Sequence, residues 1–233
     1  MFAMIQEVIS QWWNEAKQKE YFNYIAMFLL LVVFGIGGWK GLEWYRIKRE
    51  QKAQLAFSDA LDEYQTSLYY VIAKPNEKEK IEDHLKDAAL SFSTVLEQHS
   101  GSSLVPYAKA FLAEIHLLKK EVNEALALLR EAAAQVGSNS PLYYLYQTKI
   151  ALLLIATGQN EEGVSELEKL VQDSSNKQSD DAAYFLGEYH WTHGDYKKAA
   201  QVWERFSEEN QPKSLIKSSP WAPGVQAKLK QIS

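Results

Sequence analysis

Cysteine is absent from all 233 residues. That absence excludes a disulfide framework and a thiolate metal cage. It also excludes attachment through a lipidated N-terminal cysteine, so any membrane attachment must come from the peptide itself. The chain lacks a G-x-x-x-x-G-K-[ST] loop, a G-x-G-x-x-G turn and a G-x-S-x-G elbow. The usual phosphate cradles and nucleophile turns are therefore missing. His84, His99 and His116 are scattered, whereas His190 and His193 lie three apart on one predicted helix. With no third ligand near that pair, a metal site is not expected. No enzyme activity, cofactor or small-molecule substrate is expected either. Strand-like alternation is also missing, so the fold class is all-α.

A basic face is missing too. Residues 1–49 carry six Lys/Arg against four Asp/Glu, a balance of +2, and the whole chain is −5, which leaves −7 for residues 50–233. A nucleic-acid partner is therefore not expected. The Lys78-Glu79-Lys80 run mixes signs and reads as a solvated helix start.

From Tyr21 to Trp39 there is no charge, and the centre reads Ile25-Ala26-Met27-Phe28-Leu29-Leu30-Leu31-Val32-Val33-Phe34. Nineteen residues at helical rise reach about 28 Å, close to a hydrocarbon core of roughly 30 Å. Trp12, Trp13, Tyr21 and Tyr24 precede the run, and Trp39, Trp44 and Tyr45 follow it, as interfacial belts do. The expectation is one transmembrane helix over 21–39. No small-x-small cleavage site follows it, which argues against a cleaved leader. Residues 1–20 carry Ile5, Val8, Ile9 and Trp12 at helical spacing. That segment reads either as an amphipathic helix lying on the membrane or as a frayed terminus. Gly37 and Gly41 form a G-x-x-x-G pair, with Gly35 and Gly38 beside it, and such glycines let helices approach closely in lipid. Lys17 and Lys19 precede the span, while Lys40, Arg46, Lys48, Arg49 and Lys52 follow it. Those charges place the C-terminal side in the cytoplasm.

The remainder repeats itself. Leu112-Ala113, Ile150-Ala151 and Leu186-Gly187 align at spacings of 38 and 36 residues. Seven residues after each small residue come Lys120, Gly158 and Gly194, at a turn. Then follow Val122, Asn160 and Tyr196; Ala125, Gly163 and Ala199; Leu129, Leu167 and Trp203; and Ala132, Leu170 and Phe206. Each unit reads as helix, turn, helix, with small residues where the two helices cross. The stretch Tyr184–Ala200 resembles the tetratricopeptide consensus at its small, Gly, Tyr and Ala positions. Repeats are expected at about 106–135, 144–173 and 180–209, within a domain covering 50–233. A degenerate hairpin over about 50–99 precedes them, broken at Lys74-Pro75-Asn76. A cap over 212–233 closes the array, because a terminal repeat otherwise exposes an apolar face. Asp180-Asp181 reads as a helix start, where carboxylates favour the positive dipole end. His190 occupies an aromatic packing position of the repeat, and Trp203 and Phe206 are expected in the core.

Such a stack offers a concave groove lined by its first helices. The projected groove residues are Tyr107, Glu114, Leu117 and Leu118; Leu145, Thr148, Leu152 and Ile155; and Tyr184, Glu188 and Trp191. The set is apolar and aromatic with acidic spots, and it lacks the Lys, Arg and Asn of a carboxylate clamp. It suits a partner helix or an unfolded segment. The alternative is that the segment 212–233 covers part of it.

Gly35-Ile36-Gly37-Gly38-Trp39-Lys40-Gly41-Leu42-Glu43-Trp44-Tyr45, the charged helix running into Ala53, Ala56 and Ala60, the Ala-rich repeats and the closing Gln226–Ile232 together resemble the YfgM-like family. That family is the tetratricopeptide ancillary subunit of the bacterial Sec translocon. The resemblance implies a bitopic inner-membrane protein with its repeat domain in the periplasm. It implies work beside the Sec channel with a membrane-anchored peptidyl-prolyl isomerase-like chaperone and exported polypeptides. The basic flank after the span argues the opposite orientation. A membrane-tethered scaffold facing the cytoplasm and an envelope-complex assembly factor are the alternatives.

Overall fold

The structure is a computed structural model that describes residues 22–207 and 219–232, except for the side chains of 22–26, 29–31 and 33–38. The expected segment 1–20 therefore lies outside the described residues. So do most side chains of the expected span, including Gly35, Gly37 and Gly38. The chain divides into two compact units, Met1–Lys52 and Ala53–Ser233. Helix α1, Phe22–Ala73, begins in the first and ends in the second.

In the first unit the described apolar side chains of α1 face outward. Met27, Phe28, Val32, Trp39, Leu42, Trp44, Tyr45 and Ile47 are all exposed. A Cβ placed on Gly41 would have no neighbour within 4 Å. Among the described residues no helix is long and apolar enough to cross a membrane.

The second unit is a stack of helical hairpins. After α1 come α2 (Lys78–Gln98), α3 (Val105–Leu118), α4 (Val122–Val136), α5 (Pro141–Ala156), α6 (Asn160–Gln172), α7 (Ser179–Thr192), α8 (Tyr196–Trp203), a short 3-10 turn (Glu204–Phe206) and α9 (Ala222–Leu229). No strand occurs among the described residues. The expected helix-turn-helix units are thus α3–α4, α5–α6 and α7–α8. The third second helix is the shortest, ending in the 3-10 turn at Phe206.

Each hairpin closes for a local reason. The chain leaves α3, α5 and α7 through one residue in the left-handed region: Lys120 at φ 64°, Gly158 at φ 86° and Gly194 at φ 78°. Glycine adopts that conformation without steric cost, and lysine does not. Behind the turn the helices cross at small residues. A Cβ on Gly163 would lie 2.6 Å from the Ala151 carbonyl oxygen and from Ile155 Cγ1. One on Gly187 would lie 2.0 Å from Trp203 Nε1. Trp203, which fills that space, is fully buried and donates Nε1–H to the Tyr184 carbonyl at 3.2 Å.

Apolar side chains then join one hairpin to the next. Phe92, Val95, Leu112 and Ile115 tie α2 to α3, with Phe92 and Phe111 stacked at 5.3 Å. Leu126, Leu129, Tyr146, Ile150 and Leu154 tie the first repeat to the second. Tyr144, Ala151, Leu167, Leu170 and Leu186 tie the second to the third. Each large buried side chain contributes about 1.5–3 kcal/mol through removal from water. The core is therefore distributed along the stack, as in other repeat proteins.

The stack ends on α9. Ala183, Ala199, Trp203 and Phe206 enclose Ala222 and Val225. Gln226 Nε2 donates to the Phe206 carbonyl at 2.8 Å.

Candidate functional site

The first helices α1, α3, α5 and α7 form one row, because the repeat spacing returns the same side-chain positions to the same face. Glu114 of α3 pairs with Lys149 of α5 on that row. The Glu114 carboxylate and, more strongly, burial raise the Tyr64 hydroxyl above the ordinary tyrosine value. Tyr64 itself packs on Phe111 at 5.3 Å. A mixed surface of Tyr64, Phe111, Glu114 and Lys149 therefore crosses three helices. Tyr107 at 39% exposure and Leu145 at 38% flank it, and Leu152 is half-buried beside it.

The remaining projected groove residues have other duties. Thr148 is a correction: it is only 6% exposed, and its hydroxyl donates to the Tyr144 carbonyl at 2.9 Å. Its hydroxyl is used inside its own helix rather than offered to a partner. Leu117 packs against the cluster around Leu129 and Ile150. Leu118 packs against the cluster around Phe92 and Ile115, and Ile155 against Ala151, Leu167 and Leu186. These three residues serve the joints between hairpins.

On the third repeat the chain covers its own face. Trp221 stacks on Tyr184 with centroids 4.0 Å apart and planes 11° from parallel. Its Nε1–H donates to Asp181 Oδ1 at 2.7 Å. Lys228 pairs with Glu188 and lies 5.7 Å from the Trp191 ring. Trp191 is half-buried and packs against Trp203 at 5.8 Å and Tyr196 at 4.9 Å, so it touches the core as well as the face that Lys228 covers.

The two ion pairs have the same logic. Glu188 reaches Lys228 from the same repeat position that lets Glu114 reach Lys149. Helix α9 thus meets α7 through Glu188 as α5 meets α3 through Glu114. Sequence reasoning missed Lys149 because it projected consensus groove positions and passed over this one. The Glu at the same position in repeats one and three was the available signal.

His190 is buried at 8% exposure, and desolvation lowers its pKa below the ordinary histidine value. Its neighbour His193 is exposed, with Nδ1 2.7 Å from the Tyr189 carbonyl. Among the described residues no group of His, Asp and Glu is arranged to hold a metal ion.

No curated protein matches the chain. It is similar to the solved nearly identical TPR-like repeats of a putative kinesin light chain from Podosopora anserina, at 16% identity and a TM-score of 0.47 over 87% of this chain and 94% of that one. A single-substitution variant of the same protein matches at 16% identity and 0.47, over 87% and 93%. Residues 10–233 match the tetratricopeptide repeat-like domain family, in which stacked hairpins serve as scaffolds for protein binding. With its hairpin register, its left-handed turns and that match over nearly its whole length, the chain belongs to the tetratricopeptide repeat-like domain family.

Proposed function

We propose that this protein is a membrane-anchored protein-binding module that assists exported polypeptides beside a Sec-type translocon. Its repeat face receives a partner helix or an unfolded segment. The observation that carries the membrane part is the outward display of Met27, Phe28, Val32, Trp39, Leu42, Trp44, Tyr45 and Ile47 on α1. So much apolar surface on one helix calls for a non-aqueous partner. The exposed Tyr107 and Leu145 beside the Glu114–Lys149 pair support the protein-binding part. The translocon and the membrane-anchored peptidyl-prolyl isomerase-like chaperone rest on the family resemblance, which runs from Gly35–Tyr45 through the repeats to the closing Gln226–Ile232.

Photo-cross-linking from position 152 in native membranes tests this reading. Adducts with translocon subunits or that chaperone support it. Adducts confined to unrelated envelope complexes favour an assembly factor. Orientation is tested by protease added to intact spheroplasts, where digestion of residues 50–233 supports a periplasmic domain. The cations Lys40, Arg46, Lys48, Arg49 and Lys52 favour a second reading, a scaffold facing the cytoplasm. Full protection until lysis would establish that reading instead.

A further inference from the structure

Residues 39–52 hold five cations, Lys40, Arg46, Lys48, Arg49 and Lys52, against two carboxylates, Glu43 and Glu50. This local excess of +3 sits in a chain whose net charge is −5. All five basic side chains are exposed. Among them stand Trp39, Leu42, Trp44, Tyr45 and Ile47, exposed between 51% and 75%. Lys48 lies 6.0 Å above the Trp44 ring.

The angular arrangement decides what such a surface fits. At about 100° per residue, Trp39, Trp44 and Tyr45 fall roughly a third of a turn apart around the helix. The cations occupy the gaps between them. A helix lying flat on a membrane separates an apolar face from a basic one. A helix docking on a protein or a nucleic acid needs only one side to be complementary. Here rings and cations alternate on every side, which suits a medium that surrounds the helix. The headgroup layer of a bilayer is such a medium: aromatic rings settle there, and anionic headgroups meet the cations.

We propose that residues 39–52 form a collar that enters the headgroup layer of an anionic phospholipid bilayer end-on and carries its outer turns into the anionic surface field beyond it. The inference rests on the membrane-anchored reading above and adds the lipid class and the depth. Each basic residue near an anionic surface raises affinity by about five-fold.

The absence of cysteine allows a direct test on the full chain. Ile47→Cys, Val32→Cys and Leu90→Cys each carry one fluorescent label after reconstitution into vesicles of phosphatidylcholine mixed with phosphatidylglycerol. Either lipid is brominated in turn as the quencher. The collar predicts stronger quenching at position 47 by brominated phosphatidylglycerol than by brominated phosphatidylcholine. Added salt should weaken the preference, and the combined Lys40→Gln, Arg46→Gln, Lys48→Gln, Lys52→Gln variant should bring the ratio close to one. Position 90 reports the repeat domain and should stay unquenched. Equal quenching by both lipids at 47 overturns the anionic preference and leaves the anchor standing. Quenching at 32 with none at 47 overturns the collar alone. No quenching at either position overturns the anchor itself. A spectral shift at 47 on adding duplex DNA without vesicles would assign the cations to nucleic acid and overturn the proposal.

Discussion

Lys120 occupies the left-handed turn position that the two later repeats give to glycine, at φ 64° against 86° and 78°. A non-glycine residue there costs about 1–2 kcal/mol, of which the greater freedom of glycine in the unfolded chain returns part. Lys120→Gly should therefore stabilise the protein by about 1 kcal/mol, raising the thermal midpoint by roughly 2–4 °C. An unchanged or lower midpoint would mean that the lysine side chain contributes something that offsets the strain. Gly187 presents the opposite case, because a methyl group there collides with the Trp203 indole. Gly187→Ala should cost about 1–3 kcal/mol by overpacking. Trp203→Ala should cost about 3–5 kcal/mol by leaving a cavity. The two should not add: in the Trp203→Ala background the Gly187→Ala cost should largely vanish, as a double-mutant cycle by denaturant unfolding would show. His190 sets a pH dependence. Burial lowers its folded-state pKa below 6.5, so the unfolded chain binds the proton more readily. Its stabilising contribution is complete above pH 6.5 and is lost as the pH falls from there through the lower folded-state value. Melting curves from pH 7.5 to 5 should fall more steeply for the native protein than for His190→Phe.

At the scale of elements, the repeat units were legible because small and large residues recur at fixed spacing. Ala125, Gly163 and Ala199 mark the crossings, and Leu129, Leu167 and Trp203 the filling, and all six are buried. The cover on the third repeat was legible as a cap over 212–233 and, as an alternative, as a segment lying over part of the groove, but not by its contacts. Helix α9 is eight residues long and opens with Ala222-Pro223-Gly224, so it carries little periodic signal. Its hold depends on Trp221 meeting Asp181 across 40 residues of sequence, a pairing that no local pattern announces. Tyr184 and Trp191 look like groove residues by spacing and prove to be partners of that helix. Trp221→Ala should cost about 2 kcal/mol, since it removes a stacked ring pair and a hydrogen bond. Ending the chain at residue 218 should cost more and should expose Tyr184 and Trp191. Increased binding of a hydrophobic dye together with a lower midpoint would register both effects. A truncated protein that melts like the full chain would show that α9 contributes nothing to stability.

At the scale of the whole molecule, the repeat domain has no single centre. Its apolar clusters follow one another from Phe92 through Leu129 and Leu167 to Phe206. Damage at one end should therefore remain there. In Trp203→Ala, amide hydrogen exchange should accelerate across α7 and α8, while amides of α2 around Phe92 and Val95 keep near-native protection. Uniform acceleration from α2 to α8 would show that the stack unfolds as one unit. The pairing of Lys228 with Glu188 has a further consequence for molecules in company. A stack that stopped at Tyr184, Glu188 and Trp191 would present the surface that its own repeats use to add a neighbour. Two such molecules could join end to end, and joined ends of that kind grow into open filaments. By placing α9 on that surface from its own chain, the protein occupies the site first, at an effective concentration no second molecule matches. The length of the array is thereby set within each molecule.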